Sequence, residues 1–188
     1  MFKLKTIQRS LAAAALMAAL PMAAVAQGKE AVKVGLVSSK SGVFAQQGEE
    51  VMRAIKFAID EANAKGGVDG RKIEVKEADD EGTPDAGRRE AEKLAREGYN
   101  LLIGAIPSSI SLAIAQNLDR WDAAFFVVAS KSDKLTGDTC KPRSFRTNHS
   151  DAMDIAMINA WAKNIKGNKF AVIAADYVWG RDSGESFK

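Results

Sequence analysis

The chain has 188 residues, with 27 Lys+Arg against 24 Asp+Glu and a formal charge of +3. Three of the basic residues (Lys3, Lys5 and Arg9) and none of the acidic ones lie in the first 26, so the remainder balances 24 against 24. That removes the basic field a nucleic-acid binder needs, and the mixed charges that remain read as solvated helix surface.

After the basic start, residues 11–20 form an apolar run, and Ala24-Val25-Ala26 puts small residues just before Gln27. This is the layout of a secretory leader cut after Ala26. The run is well short of the roughly 20 residues a membrane-spanning helix needs. The mature chain is therefore expected to leave the cytoplasm. The single cysteine, Cys140, is either unpaired or bonded to a partner beyond Lys188. A lipoprotein anchor would need cysteine where Gln27 stands. A catalytic thiol needs a base, and the only histidine, His149, lies in a loop-like stretch away from it.

Strand-like and helix-like runs then alternate. Residues 32–37 (VKVGLV) read as a buried strand, followed by a Ser/Gly loop over 38–48. Val51, Ile55, Ala58 and Ala62 recur at helical spacing over 49–64. Gly66 and Gly67 end that helix. Residues 72–77 (KIEVKE) alternate as a second strand, and Pro84 opens a helix that stops at Gly98. Residues 101–103 predict a third strand, 108–121 a helix with Pro107 at its first turn, and 125–129 a fourth strand. Residues 130–143 read as irregular and polar. Ser150 is the expected N-cap of a helix running to about Ile165. Residues 170–175 (FAVIAA) predict a fifth strand, and another helix begins near Arg181.

This alternation predicts an α/β fold: an open, mainly parallel, Rossmann-like sheet flanked by helices on both faces. Ligands of such sheets sit beyond the carboxyl ends of the strands. The loops that matter are then 38–48, 79–83, 105–109 and 130–136.

The ordered set Ser41-Gly42, Gln46 to Gly48, Asn63 to Arg71 (NAKGGVDGR), Asp79-Asp80, Ile103-Gly104, Leu135-Thr136, Phe145 to Thr147 and Asp176 to Gly180 (DYVWG) resembles the leucine/isoleucine/valine-binding family of periplasmic substrate-binding proteins, which serve ABC transporters. The resemblance implies two lobes of the type I periplasmic-binding fold closing on a small ligand. It divides the chain into a leader at 1–26, an incomplete first lobe at 27–148 and the start of a second lobe at 149–188. The chain is then expected to be truncated relative to the family.

Ser108 and Ser109 stand where a helix N-terminus follows the third strand, with Ile106 just ahead of them. Free N–H groups make such a place an anion site, although a plain N-cap is the alternative. By the resemblance, Ser108 matches the position that holds the ligand carboxylate. Gln47 falls where relatives often place a tyrosine against the ligand. Ser130, Lys131 and Ser132 fall where relatives use a threonine near the ligand ammonium group. A lysine there would repel an ammonium, so either Lys131 points away or the ligand is not a simple amino acid. Tyr177 and Trp179 could cover an apolar part of the ligand, with ordinary packing as the alternative for Trp179.

Asp79, Asp80 and Glu81 read as a solvated turn in preference to a Ca²⁺ or Mg²⁺ site, so no metal is expected. Gly66, Gly67 and Gly70 follow a helix and precede a strand, the reverse of a dinucleotide fingerprint, so no cofactor is expected. An exported hydrolase using Ser108 or Ser109 would lack a placed base. The expected role is a non-enzymatic binding protein that delivers an amino acid or organic acid to an ABC permease, with a ligand-sensing receptor module of the same fold as the alternative.

Overall fold

Val34 and Leu36 are buried on one face of a strand and Val37 on the other, and helices pack on both sides. That strand, β1 (Val32–Ser38), lies inside a five-stranded, wholly parallel sheet in the order β2-β1-β3-β4-β5. The others are β2 (Ile73–Asp79), β3 (Leu101–Gly104), β4 (Ala124–Val127) and β5 (Ser144–Arg146). The computed structural model describes residues 29–167 and 169–187. The proposed leader therefore lies outside the described residues.

Helix α1 (Ala45–Ala64) covers one face, where Met52 and Ile55 meet Val34, Leu36 and Val75. Helices α2 (Pro84–Arg96), α3 (Ser108–Ala115) and α4 (Leu118–Trp121) cover the other. There Leu94, Ile110, Ile114 and Leu118 pack with Val37, Leu102 and Phe125 in the larger core. Two helices follow the sheet, α5 (Asp151–Ala162) and α6 (Val178–Ser186).

The local chemistry of the helix ends matches their residues. Thr83 caps α2, its Oγ1 accepting from the Ala86 N–H at 3.3 Å with Pro84 in the first turn. Ser150 caps α5, accepting from the Met153 N–H at 3.4 Å. Past the end of α1, Gly66 and Gly67 take φ of +100° and +76°, conformations that cost glycine little. Asn63 in the last turn of α1 clamps the start of β2, accepting from the Ile73 N–H at 2.7 Å and donating to its carbonyl at 2.9 Å.

Three expectations are corrected. Residues 170–175 form no strand, and among the described residues nothing pairs with them; Ile173 is 100% exposed. An apolar run becomes a strand only where a neighbour takes up its N–H and C=O groups. The fifth strand is instead β5, a three-residue edge in a stretch with only one large apolar residue, Phe145, which stacks on Phe126 at 5.3 Å. The helix expected over 108–121 divides at Gln116 and Asn117, where the Asn117 side chain bonds the Ala113 carbonyl at 2.9 Å.

Candidate functional site

The chain leaves β1 in one direction to β2 and returns through β3 in the other, so the strand order reverses between β1 and β3. Loops at such a point diverge and leave a crevice beyond the strand ends. Backbone packing is tight on both sides of it. Gly104 at the end of β3 has φ +148°, and a Cβ there would lie 1.8 Å from the Val37 carbonyl oxygen. Gly48 in the first turns of α1 sits against the loop after β1, where a Cβ would lie 1.7 Å from the Ser39 oxygen.

A cavity of about 630 Å³ occupies this crevice. Val43 and Phe44 of the loop after β1 line it together with Gln47 in the first turn of α1, and Ile106 and Pro107 of the loop after β3 line it together with Ser109 in the first turn of α3. The opposite wall comes from the segment entering α6, with Ala175, Asp176, Tyr177 and Trp179. Phe44 meets Tyr177 edge to face, with centroids 5.8 Å apart, and Tyr177 meets Trp179 at 5.9 Å. Burial pushes the Tyr177 phenol above its ordinary pKa, so it stays a neutral hydrogen-bond donor. Asp176 is paired with Arg181, at 2.9 Å to Nε and 2.8 Å to Nη2.

Of the residues singled out from sequence as ligand contacts, Gln47, Ile106, Ser109, Tyr177 and Trp179 line this cavity. The other four lie outside its lining. Ser108 is 1% exposed, and its Oγ accepts from the Ser132 N–H at 3.2 Å. Neither Ser108 nor Ser109 is the N-cap of α3; that place belongs to Pro107. Ser130 Oγ lies 2.9 Å from the Ala105 and Ile106 carbonyls and 2.7 Å from Ser111 Oγ, tying the loop after β4 to the loop after β3. Lys131 points to α5, donating to Asp154 Oδ2 at 2.8 Å, with His149 Nε2 on the other oxygen at 3.1 Å. Ser132 Oγ donates to Asp182 of α6 at 3.1 Å. This loop is therefore a joint between the sheet and the last two helices.

The acidic turn after β2 is also spent on loop geometry. Asp79 Oδ1 accepts from the N–H groups of Lys40 (2.8 Å) and Glu81 (2.9 Å). Burial pushes that carboxyl up, but these main-chain donors leave it below its ordinary value. Asp80 is fully buried, its Oδ1 bonded to Ser39 Oγ at 2.5 Å and the Gly82 N–H at 2.9 Å. Burial dominates there and holds its pKa above the usual aspartate value.

Sequence reasoning missed Phe44, Val43, Pro107 and Asp176 as cavity residues. The signal available was position: Phe44 sits in the first loop beyond β1, and Asp176 adjoins Tyr177. A second cavity, of about 610 Å³, lies between α5, α6 and residues 171–175, away from the strand ends.

Residues 31–188 match the model of a family described as periplasmic binding protein. The chain is 25% identical over 175 residues to the Leu/Ile/Val-binding protein BraC3 of Rhizobium johnstonii, covering 93% of this chain and 47% of that one. It resembles a solute binding protein of an ABC transporter from Rhodopseudomonas palustris, solved in complex with 3,4-dihydroxybenzoic acid. That match has a TM-score of 0.74 and 30% identity, over 84% of this chain and 44% of the other. A third similar structure is an ABC transporter substrate-binding protein from Desulfitobacterium hafniense in complex with Leu, with a TM-score of 0.72, 26% identity, and 85% and 46% coverage. The chain belongs to the periplasmic binding protein family and has its α/β lobe architecture. It spans about half the length of the curated relatives it matches. Those relatives are named as binding proteins, not as enzymes.

Proposed function

We propose that this protein is an extracytoplasmic solute-binding protein. It captures a small organic solute, an amino acid or related carboxylate, and hands it to the membrane permease of an ABC transporter. It uses no cofactor or metal and has no nucleic-acid partner. Residues 1–26 export it to the periplasm and are removed after Ala26. Residues 27–148 belong to the first lobe and 149–188 begin the second.

The observation that carries this reading is the cavity at the strand-order reversal, walled by the loops after β1 and β3 on one side and by Tyr177 and Trp179 on the other. A pocket with facing walls on two units is what lobe closure needs. The ligands of the two similar solved proteins, leucine and 3,4-dihydroxybenzoic acid, are both small carboxylates and support the solute class. At the site, Ser109 and the main-chain N–H groups opening α3 face the anionic end of the solute. Ser108 accepts from Ser132 and has a hydroxyl proton to give, which a carboxylate would take. Gln47 adds an amide, Ile106 an apolar floor, and Tyr177 a ring and a donor. Ser130, Lys131 and Ser132 shape the site from behind.

The test is direct. The exported protein, as its gene encodes it, is purified and denatured, and released solutes are identified by mass spectrometry. Calorimetric titration of the solute-free protein should give saturable one-to-one binding of a small carboxylate. Absence of any binding across a carboxylate and amino-acid panel would remove the proposal. N-terminal sequencing of the same material should begin at Gln27.

A further inference from the structure

Asp176 is the one charged residue among those that line the cavity. Asp176 is held by Arg181, at 2.8 and 2.9 Å. Asp154 carries both Lys131 and His149, so the Lys131 ammonium is turned away from the cavity and matched. Asp182 takes Lys134 at 3.1 Å and Ser132 at 3.1 Å. A zwitterionic amino acid would bring an ammonium group into a site that offers no unpaired carboxylate among the described residues. Leaving such a charge desolvated and unmatched is costly. A carboxylate fares better, because the uncharged polar groups of the cavity include hydroxyl and amide donors: Ser109, Gln47 and the Tyr177 phenol.

The apolar wall has an equally specific shape. Tyr177 packs on Phe44 at 5.8 Å and on Trp179 at 5.9 Å, with interplanar angles of 75° and 45°. Rings in mutual contact make one continuous wall. They do not make the separated sides of a box around a quaternary ammonium group. The Trp179 indole N–H is already given to Asp151 at 2.6 Å, so the ring needs no further hydrogen-bond acceptor. Such a wall suits a flat ring, by offset or edge-to-face contact.

Resting on the solute-binding reading above, we infer that the cavity selects a planar aromatic monocarboxylate over a zwitterionic amino acid, with Phe44, Tyr177 and Trp179 as the wall that contacts the ring. The Tyr177 hydroxyl, for which no partner is found among the described residues, suits a ligand with a ring hydroxyl.

The probes are benzoate, 4-hydroxybenzoate, cyclohexanecarboxylate, leucine and glycine betaine, titrated by calorimetry into the exported protein as its gene encodes it. Benzoate is expected to bind about tenfold more tightly than cyclohexanecarboxylate, the size of an aromatic contact beyond equal buried area. Leucine and betaine should fall weaker still. Tyr177→Leu should erase the benzoate preference over cyclohexanecarboxylate while both still bind. Tryptophan emission should change on adding benzoate and cease to change in Trp179→Phe, which retains Trp121 and Trp161. Leucine or betaine matching benzoate would overturn the inference and leave solute binding intact, as would cyclohexanecarboxylate equalling benzoate. Failure of every probe and every other small carboxylate would overturn both readings. The panel on the unmodified protein decides the matter even if a variant fails to fold.

Discussion

Asp151, the first residue of α5 and 2% exposed, accepts the indole N–H of Trp179 at 2.6 Å. The same oxygen takes the Ser183 hydroxyl at 2.7 Å, and the Asp151 main-chain N–H donates to the Lys131 carbonyl at 2.9 Å. One buried carboxylate thus fastens α6 to α5, while its own backbone is fastened to the joint loop after β4. The aromatic wall of the cavity hangs on this residue.

Asp151→Ala should cost about 1–3 kcal/mol, the usual penalty for a buried donor left without its acceptor. Ser183 has a second acceptor in the Trp179 carbonyl at 2.9 Å, so the indole bears most of the loss. Urea unfolding gives the stability change, and near-ultraviolet dichroism reports the loosened indole. Asp151→Asn, whose amide oxygen can still accept, should recover part of both signals.

Ser108→Ala should weaken binding of the cognate carboxylate by about 1–3 kcal/mol, the range for a hydrogen bond to a charged group. Calorimetry on both proteins measures it. Equal dissociation constants would limit Ser108 to holding the Ser132 N–H.

Asp80 should give an unusual pH dependence. Burial raises its folded pKa above the unfolded value, so ionisation favours the unfolded chain. Its contribution to stability therefore falls as pH rises from the ordinary aspartate value to the raised folded value, then stays level. Asp80→Asn removes that titration. The stability of the variant relative to the parent should climb with pH through this window and then plateau. Urea midpoints at several pH values check the sign; a variant that loses stability relative to the parent as pH rises would contradict it.

Residues 27–188, purified alone, should self-associate. Met157, Trp161 and Ile173 are exposed in a region where residues 170–175 pair with nothing among the described residues. Exposed apolar surface and unpaired backbone of this kind drive association. Light scattering over a concentration series should show mass rising with concentration. On the proposed two-lobed division, the same polypeptide should bind the cognate solute about a hundredfold more weakly than a protein carrying both lobes, a loss of roughly 2.7 kcal/mol.

The strands that carry the fold were legible because burial on both faces of a parallel sheet leaves an apolar record, as in Val32 to Val37 and Phe125 to Val127. β5 left no such record, since its three residues are specified by pairing with β4 and not by their own composition. Residues 170–175 show the converse: strand composition without a partner strand. The site was legible as a set of loops, because loops at strand ends follow from the alternation alone. Which member of each loop faces the cavity was not. Ser108 and Ser109 are adjacent and chemically identical, yet one lines the cavity and the other is bound inward to Ser132. The orientation of Lys131 was likewise set by Asp154, a residue 23 positions away, which no local pattern connects to it.

The clamp between Asn63 and Ile73 acts as a ruler for the far end of its strand. β2 is an edge strand, the kind most free to slip. A slip of one residue would move Asp80 by about 3.3 Å and turn its side chain to the opposite face. The 2.5 Å bond to Ser39 and the Gly82 contact would then be lost together. Because Asn63 holds both the N–H and the carbonyl of Ile73, slippage must break two bonds before it can begin. A side chain at the end of α1, on the opposite rim of the sheet, thereby sets where the turn beside the cavity stands.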